Sequence, residues 1–361
     1  MKKILYYIQL PPPIYGVTLV NKQVFESEII NKSVKKELIK VNFSKTLTDL
    51  KKINLKKIVV LISLWFKLLY KLIKFRPKYV YYTLPPTGIG FYKELPNIFI
   101  LKLLKVKPIF HLHGKGIAGK VTTNFQKRLY RYCFSDAVII HLSKGLYELE
   151  FRNIVPRNTN FFAVANGVET VNVSPAKKKS TFVELLFLSN LQESKGFFML
   201  LEVLAKVVLR FPNIRLNIIG GFRDENSKVK FENFVRTNKL DKFIKFWGPK
   251  YDLYKHQIIS NCDILIHPSF NDAFPLVILE AMQHGLAIIA SDQGAIPEII
   301  KPEFGCVFPT GEKEKLLFYV EKLISDKEKR KEMQVNSKNE FFKNYTLEHF
   351  ETRMVNVFNH L

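Results

Sequence analysis

Cysteine is scarce in this chain of 361 residues, and long hydrophobic runs are missing. The three cysteines, Cys133, Cys262 and Cys306, are far apart and form no CxxC pair. This pattern excludes a disulfide framework and a zinc site of the usual spacing, and it indicates a reducing compartment. The short apolar run at the N-terminus stops at Pro11 without a small-residue cleavage site. We therefore expect a buried first strand there rather than a signal peptide.

The most apolar segment, residues 53–76, is too interrupted by lysine to cross a membrane. Its longest uncharged stretch, Ile58–Phe66, has nine residues, whereas a spanning helix needs roughly 20. A helix here would place lysines near one face and large apolar side chains around the rest, which suits an anionic membrane interface. It also suits a crossover helix packed on a sheet, and both interpretations stay open. The lysines are Lys56, Lys67, Lys71 and Lys74.

Acidic residues are scarce in the first half of the chain. Residues 1–165 contain 8 Asp and Glu against 29 Lys and Arg, a net charge of +21, whereas residues 166–361 have a net charge of +3. This one-sided charge predicts an anionic partner: a membrane surface, a phosphorylated substrate or nucleic acid. Lysine outnumbers arginine 45 to 11. Because bidentate recognition of bases and phosphates favours arginine, we expect no nucleic-acid partner.

The remaining composition is globular, with 47% hydrophobic and 24% charged residues, and the length favours two domains. Short β-rich runs alternate with segments long enough for helices, which predicts two doubly wound α/β domains. The strands predicted in the first domain are Lys3–Gln9, Glu37–Val41, Tyr79–Thr83, Pro108–Leu112, Ala137–His141 and Phe161–Ala165. Those predicted in the second are Glu184–Leu188, Arg215–Ile219, Phe243–Phe246, Asp263–His267, Ala287–Ala290 and Cys306–Phe308.

The domain boundary is predicted where the alternation pauses. The first domain is assigned to residues 1–165 and the second to 166–344, with the polar stretch 171–181 as the linker. From Glu314 onward the chain has helical periodicity and no strand signal. A C-terminal helix at about 345–361 is a candidate to pack back onto the first domain.

Open α/β sheets bind ligands at the carboxyl ends of their strands, so the motifs there are candidate site residues. Gly16 lies in a Pro/Gly loop that would let backbone approach a phosphate or sugar, although such a loop is usually only a turn. His111 and His113 end a later strand, where alternation is expected to let only one of them face the site; His113 is the better placed. Lys115 and Lys120 follow in a basic loop that suits an anionic acceptor.

Two motifs in the second domain predict a diphosphate site. A strand ends at Ser189 and Lys195 opens the next helix, which brings an ammonium group and backbone N–H groups together. Gly220–Gly221 closes the following strand and permits close ligand approach, and Arg223 adds a second cation at that edge. Taken alone, the Lys195 motif is also compatible with a helix-capping turn that carries a surface lysine.

Residues 267–300 form the most informative segment. Pro275 is expected at the first position of a helix, with the carboxylates of Asp272 and Glu280 on either side of the helix start. Two carboxylates that only accept hydrogen bonds suit sugar and ribose hydroxyls. The alternative makes Asp272 an N-cap and Glu280 the partner of a surface lysine. The N–H groups expected to meet a phosphate or sugar oxygen are those of Phe274, Leu276 and Val277.

In chain order, the motifs PPPxxG, HGKG, NGV, SKG, a spaced acidic pair ending in EAM, and GxxPE resemble those of retaining glycosyltransferases of family 4. The resemblance covers essentially the whole chain, and residues 272–300 are its most specific part. It implies the GT-B fold, an α/β architecture of two Rossmann-like domains facing a central cleft. The N-terminal domain would bind the acceptor and the C-terminal domain the nucleotide-sugar donor, with no metal or other cofactor.

The resemblance also implies roles for individual residues. Glu280 matches the glutamate that holds the ribose, and Lys195 matches the lysine that binds the donor diphosphate. His113 matches a histidine near the sugar and acceptor, and Gly16 a glycine loop over the phosphates. The backbone of Phe274–Leu276 would meet the donor sugar and phosphate. Lys195 and helix N-termini would stabilise the departing nucleotide diphosphate, with retention of the anomeric configuration.

Two positions depart from the family pattern. Asp272 stands where the family usually has Glu, and Asn190 stands where it has an arginine in the phosphate motif. Asn cannot neutralise a diphosphate, so either Lys195 carries that charge alone or Arg223 substitutes, and our hypothesis is that Arg223 does. The predicted catalytic residues are His113 and Asp272. The predicted donor-binding residues are Gly16, Asn190, Lys195, Gly221, Arg223, Phe274, Pro275, Leu276 and Glu280, and the acceptor-binding residues are Lys115 and Lys120.

The resemblance implies a retaining, metal-independent hexosyltransferase. It would move a sugar from a UDP- or GDP-sugar to a glycan linked to polyprenyl diphosphate, in cell-surface polysaccharide biosynthesis of the capsule or O-antigen type. The basic first domain predicts a cytoplasmic protein, peripheral on the inner face of the plasma membrane. Two alternatives are a GT-B-like nucleotide-sugar epimerase and a catalytically impaired glycan-binding homologue. A nucleic-acid-binding protein is disfavoured because no such module is recognisable.

Overall fold

The computed structural model describes residues 1–41, 55–152, 154, 160–173 and 181–361. Most of the predicted linker and the side chain of Lys56 therefore lie outside the described residues. The chain divides into two compact units, which we call unit 1 (Met1–Asn166 with Glu348–Leu361) and unit 2 (Gly167–Leu347). Each unit is built on one six-stranded parallel sheet with helices around it.

Unit 1 contains the strands β1 (Lys2–Ile8), β2 (Val34–Lys40), β3 (Tyr79–Thr83), β4 (Lys107–Leu112), β5 (Val138–His141) and β6 (Asn160–Ala163). They lie in the order β2-β1-β3-β4-β5-β6. Its helices are α1 (Gly16–Glu26), α2 (Glu28–Asn31), α3 (Leu55–Phe75), α4 (Ile89–Tyr92), α5 (Leu95–Leu103), α6 (Ile117–Lys120), α7 (Asn124–Phe134) and α8 (Lys144–Phe151). Crossover helices join parallel strands, so ligand-binding loops collect at one sheet edge.

The core of unit 1 forms because its strands are apolar on both faces. In β1, the five residues from Ile4 to Ile8 are all buried, as expected where helices cover both sides of a parallel sheet. Helix α3 contributes Leu64, Leu68 and Leu72 to this core. The crossover interpretation of that segment is therefore confirmed, although the opposite face of α3 leaves large apolar side chains exposed.

Unit 2 contains β7 (Val183–Leu188), β8 (Ile214–Ile219), β9 (Ile244–Gly248), β10 (Ile264–His267), β11 (Ala287–Ser291) and β12 (Gly305–Phe308), in the order β12-β11-β10-β7-β8-β9. Its helices are α9 (Phe197–Arg210), α10 (Glu225–Thr237), α11 (Asp252–Ile259), α12 (Leu276–Gln283), α13 (Ile296–Ile299), α14 (Lys313–Ser325) and α15 (Lys327–Asn344). The apolar face of α9 packs on this sheet through Leu200, Leu201 and Leu204. All twelve predicted strands are confirmed, with ends that differ by at most three residues.

The last helix, α16 (Leu347–Asn359), packs within unit 1. The ring of Phe358 lies 6.3 Å from that of Tyr81 in β3. The Tyr79 hydroxyl donates a hydrogen bond of 2.6 Å to the carbonyl oxygen of Leu361. The sheet of unit 1 is thus covered in part by the end of the chain.

Candidate active site

In unit 2, the loops that follow β7 and β10 are joined at the carboxyl edge of the sheet. The N–H of Phe270 donates to the carbonyl oxygen of Ser194 at 3.0 Å. Gly196 has a φ of 70°, and a Cβ at this position would lie 1.9 Å from the carbonyl oxygen of Pro268. Only glycine therefore lets the SKG turn contact the loop after β10.

The GxxPE motif after β11 fixes the loop that carries Asp272 from the other side. The N–H of Ala295 donates to the carbonyl oxygen of Ala273 at 2.7 Å. Gly294 has a φ of 58°, and a Cβ there would lie 2.4 Å from the carbonyl oxygens of both Asp272 and Ala273. Three motifs that are far apart in the sequence thus meet at one sheet edge.

Asp272 joins Lys195 and His267 in one hydrogen-bonded group. The Nζ atom of Lys195 donates to Oδ1 of Asp272 at 2.6 Å and to the carbonyl oxygen of Asn271 at 3.2 Å. The Nε2 atom of His267, at the end of β10, lies 2.9 Å from Oδ2 of the same carboxylate. The structure therefore brings together the predicted diphosphate lysine and the predicted catalytic carboxylate.

This group sets the charge of the site. Burial alone would raise the pKa of the Asp272 carboxyl, but the hydrogen bond from His267 and the charge of Lys195 outweigh burial and lower that pKa below its ordinary value. The carboxylate therefore stays ionised at neutral pH. An ammonium group has three donors, and Lys195 directs two of them at Asp272 and Asn271. The third is available to a phosphate oxygen.

Glu280 lies in the second turn of α12 and makes an ion pair with Lys255 of α11. Nζ of Lys255 lies 2.9 Å from Oε1 of Glu280, and the two side chains are 17% and 12% exposed. The lysine partner foreseen by the alternative interpretation is thus present, but the pair is largely buried rather than on the surface. The second carboxylate oxygen of Glu280 is not part of this contact.

Helix α12 starts one position later than predicted. Pro275 is its N-cap, with an extended ψ of 116°, and Leu276 is the first helical residue, so the placement of Pro275 inside the helix is wrong. No side chain caps this helix, which rules out Asp272 as its N-cap. The N–H groups of Leu276 and Val277 lack acceptors within α12 because they lie in its first turn. Phe274 is buried, with its ring 6.5 Å from that of Tyr345.

The loops after β7 and β8 lie side by side. The N–H of Leu191 donates to the carbonyl oxygen of Gly221 at 2.9 Å. Asn190 is exposed, and Arg223, also exposed, lines a cavity of about 450 Å³ together with Ser194. Ser194 directly precedes the diphosphate lysine, so Arg223 lies near that motif; its substitution for the family arginine stays a prediction.

In unit 1, His113 directly follows β4, and its ring lies 4.0 Å from that of His111. The expectation that alternation separates the two rings is wrong, because residues two apart along a strand share a face. Depth distinguishes them instead: His111 is fully buried against the Tyr81 hydroxyl, whereas His113 is half-buried.

The imidazole of His113 has an unused polar atom. Its buried Nε2 has no hydrogen-bond partner among the described residues. Burial lowers the pKa of His113 to about 3, so the ring is neutral at physiological pH. A neutral ring nitrogen at the end of a strand can form a hydrogen bond with a sugar hydroxyl.

The basic loop after β4 is held by Glu150 of α8. The buried Glu150 carboxylate accepts hydrogen bonds from the N–H of Gly116, at 2.8 Å, and from the N–H of Ile117. Lys115 is half-buried within this loop, and Lys120 is exposed at the end of α6. The two predicted acceptor-binding lysines therefore lie on either side of backbone N–H groups that hydrogen bonds to Glu150 hold in place.

Gly16 is exposed at the first position of α1. The loop before it is fixed by Thr18, whose hydroxyl donates to the carbonyl oxygen of Pro13 at 2.9 Å, and by Asn21, whose amide donates to the carbonyl oxygen of Gln9 at 2.8 Å. Gly16 thus presents backbone at a helix start near the end of β1. Its role over a phosphate stays a prediction.

Four polar residues of these sites were not predicted from the sequence: Lys255, His267, Glu150 and His141. His267 lies in the quoted 267–300 segment, and its position at a strand end was the available signal. Lys255 and Glu150 reach their partners only through helix packing, which no local pattern reports. His141, at the end of β5, is fully buried, and burial together with the adjacent His113 lowers its pKa to about 3.

The described residues show no metal cluster and no membrane-spanning helix. Within those ranges, no group of three or more His, Cys, Asp or Glu side chains is arranged to hold a metal ion, and independence of metal stays a prediction. The described part of the chain also contains no helix that is both long and apolar enough to cross a membrane.

Two units, each built on a six-stranded parallel sheet with helices around it, form the GT-B fold. Anabaena HepE in complex with UDP-glucose has this fold, with a TM-score of 0.75 and 16% identity over 100% of each chain. Residues 170–340 match the family described as Glycosyl transferases group 1. This match and the shared fold support the resemblance noted in the sequence, with the family match confined to residues 170–340.

Two curated relatives are similar to part of this chain. The phosphatidylinositol N-acetylglucosaminyltransferase gpi3 subunit of Schizosaccharomyces pombe is 25% identical over 218 residues, covering 60% of this chain and 46% of the relative. The phosphatidyl-myo-inositol mannosyltransferase of Mycobacterium tuberculosis is 29% identical over 153 residues, covering 40% of this chain and 39% of the relative. The matches thus span less than half the length of either relative.

Proposed function

We propose that this chain is a retaining glycosyltransferase that binds a nucleotide-sugar in unit 2 and transfers its sugar to a glycan acceptor bound by unit 1. The observation that carries the proposal is the group formed by Lys195, Asp272 and His267 beside the first turn of α12. A fixed cation, an ionised carboxylate and free N–H groups together match the charges and hydroxyls of a sugar diphosphate.

Each part would serve one portion of the donor. Lys195 and the N–H groups of Leu276 and Val277 would bind the diphosphate and stabilise the charge that develops as it departs, without a metal. Glu280 would accept a hydrogen bond from a ribose hydroxyl through the oxygen that Lys255 leaves unused. In unit 1, the unpartnered Nε2 of His113 would bond a sugar hydroxyl.

The acceptor is proposed to carry phosphate and lipid. The net charge of +21 over residues 1–165 favours an anionic acceptor such as a glycan on polyprenyl diphosphate, made for a cell-surface polysaccharide. The names of the two relatives favour a second candidate, a phosphatidylinositol-type acceptor. Both are phosphorylated lipids, so transfer assays with each would separate them.

The exposed side of α3 supports a peripheral position on an anionic membrane. Ile62, Phe66, Leu69 and Ile73, which we call the α3 apolar stripe, are exposed at helical spacing on the side away from the core, with Phe66 at 69% and Ile73 at 62%. Lys67 and Lys74 border the stripe and are also exposed. An apolar stripe flanked by lysines suits the boundary between lipid headgroups and acyl chains.

A thermal-shift panel of UDP-, GDP- and ADP-sugars tests the donor site without needing the acceptor. A ligand that binds only the folded state raises the unfolding temperature. We expect one nucleotide family to raise it, and expect Lys195→Ala and Glu280→Ala to remove the shift. The matched controls are Lys206→Ala and Glu225→Ala, which alter exposed ion pairs of unit 2. No shift with any donor would contradict the proposal.

A further inference from the structure

A second basic site lies at the opposite edge of unit 1 from His113. A cavity of about 890 Å³ opens at the amino ends of β1, β2 and β3, where Lys2, Lys3, Lys32, Arg76 and Lys78 line it and no acidic residue does. Since the family motifs all follow strand ends, this cavity belongs to none of them. Its five cations around one opening would repel each other unless an anion enters.

Two of these cations already have hydrogen-bond acceptors within unit 1. Nζ of Lys2 donates to the carbonyl oxygens of Phe358 and Asn359, at 2.8 and 3.2 Å. Nζ of Lys3 donates to the carbonyl oxygen of Phe75 at 3.1 Å. Both lysines thereby satisfy the carbonyl groups at helix ends, where a cation is favoured.

The other three cations have no such partner. In the ranges that the structure describes, no ion pair and no side-chain hydrogen bond involves Lys32, Arg76 or Lys78. Beside them the cavity has apolar walls, among them Ile29 and Phe358. Nζ of Lys78 lies over the ring of Tyr79, 5.2 Å from its centroid, and this contact supplies no negative charge. A site that combines three cations that lack an anionic partner with apolar walls suits an anion attached to a hydrophobic body.

The position of the cavity indicates where that anion comes from. Arg76 directly follows α3, and Ile73 of the α3 apolar stripe lies one turn before it. If the stripe enters the headgroup boundary of a bilayer, Arg76 and its neighbours lie at the level of the phosphates. A free phosphate would use the cations, but it would leave the apolar walls and the adjacent stripe unexplained.

We propose that this cavity binds the phosphate headgroup of an anionic membrane phospholipid, and so anchors unit 1 separately from the acceptor site. The proposal rests on the peripheral membrane position argued under the proposed function. It assigns Lys32, Arg76 and Lys78 to the headgroup and the α3 apolar stripe to the acyl-chain region. Anchoring through an edge remote from the strand-end motifs would leave those motifs available to substrate.

Vesicle binding tests the proposal with the full chain. The triple variant Lys32→Gln, Arg76→Gln, Lys78→Gln removes three cavity charges, and the control triple Lys127→Gln, Arg128→Gln, Lys144→Gln removes three charges from α7 and α8. On vesicles of phosphatidylglycerol and phosphatidylcholine, we expect the cavity variant to weaken binding about 100-fold and the control less than about threefold, since each cation near an anionic surface contributes about 1 kcal/mol. Unchanged unfolding temperatures would show that both variants fold.

Several results would overturn the headgroup site. Equal losses in the two triple variants would show diffuse attraction only, and a loss confined to Phe66→Ser with Ile73→Ser would assign binding to the stripe alone. If inorganic phosphate raised the unfolding temperature and the protein did not bind vesicles, the ligand would be a free anion. If the protein bound RNA and did not bind vesicles, the ligand would be a nucleic acid. Sugar transfer to a water-soluble acceptor distinguishes this failure from that of the proposed function, because it requires no membrane.

Discussion

The Nζ atom of Lys195 lies 2.6 Å from Oδ1 of Asp272 at the carboxyl edge of the unit 2 sheet. The two residues are 77 positions apart in the chain. The contact forms because Gly196 and Gly294 allow their loops to approach the loop that carries Asp272. The cation proposed for the diphosphate is held by the carboxylate proposed for the sugar, so the two must be tested together.

Lys195→Ala should weaken binding of the nucleoside diphosphate about 10- to 100-fold, because a hydrogen bond to a charged group contributes about 1.5–3 kcal/mol. Asp272→Asn should strengthen it, since Lys195 no longer shares its charge with a carboxylate, while turnover falls. Titration calorimetry with the nucleotide that the thermal-shift panel selects measures both effects. Weaker nucleotide binding in Asp272→Asn would contradict this account of the pair.

Glu280→Gln should lower the affinity for the nucleotide about tenfold and leave the affinity for inorganic diphosphate unchanged. The neutral amide is a poorer acceptor for a ribose hydroxyl, and loss of a charge-assisted hydrogen bond accounts for about 1.4 kcal/mol. Competition titrations with the two ligands make the comparison. Equal losses for nucleotide and diphosphate would mean that Glu280 acts through Lys255 on the phosphates rather than on the ribose.

Glu150→Ala should destabilise the loop after β4 by about 2–3 kcal/mol, because two N–H groups, one buried and one partly buried, lose their acceptor. Glu150→Gln should cost less, since its amide oxygen can still accept. Denaturant unfolding gives the free energies, and hydrogen exchange at Gly116 and Ile117 reports the loop itself. Identical costs for both variants, with exchange at these amides unchanged, would exclude this role for Glu150.

Acid should destabilise the fold through His141. In the folded state the pKa of this buried imidazole is lowered to about 3 from its ordinary 6.5. The unfolded chain therefore takes up a proton that the folded chain does not. The stabilisation is present above pH 6.5 and is lost as the pH falls toward 3, at up to about 1.4 kcal/mol per pH unit.

His141→Asn should reduce this dependence of the unfolding free energy between pH 6 and pH 4. His360→Asn, at an exposed position, is the matched control and should leave the slope unchanged. Urea unfolding at several pH values measures the slopes. If the slope in His141→Asn equalled that of the unaltered chain, the pKa of this imidazole would be the same in the folded and the unfolded state, which would contradict the account.

The strands could be predicted because burial on both faces leaves a continuous apolar run. Tyr79–Thr83 was predicted with both ends right, since every side chain but the last is buried. The start of β2 was missed by three residues because Lys35 and Lys36 are exposed at a sheet edge and look like loop. An edge strand with polar residues gives no clear strand signal in the sequence, because it is the pairing with the neighbouring strand that defines it.

The site could be predicted in part because its motifs follow strand ends. Parallel strands end at one edge, so motifs after β7, β10 and β11 were expected to meet, and Lys195 and Asp272 do. The partner of Glu280 could not be predicted, because Lys255 reaches it only through packing of α11 on α12. The pairing of His111 with His113 was misjudged because strand alternation was applied to residues that share a face.

The most direct test of the central claim is a proton NMR time course of a nucleotide-sugar, of the base selected by the thermal-shift panel, incubated with the protein and a lipid acceptor. The acceptor arms are polyprenyl-diphosphate oligosaccharide and phosphatidylinositol. We predict loss of the donor anomeric signal and growth of a glycoside signal of the same anomeric configuration in one arm. A different nucleotide-sugar formed without acceptor, an inverted glycoside, or an unchanged donor in both arms would contradict the account.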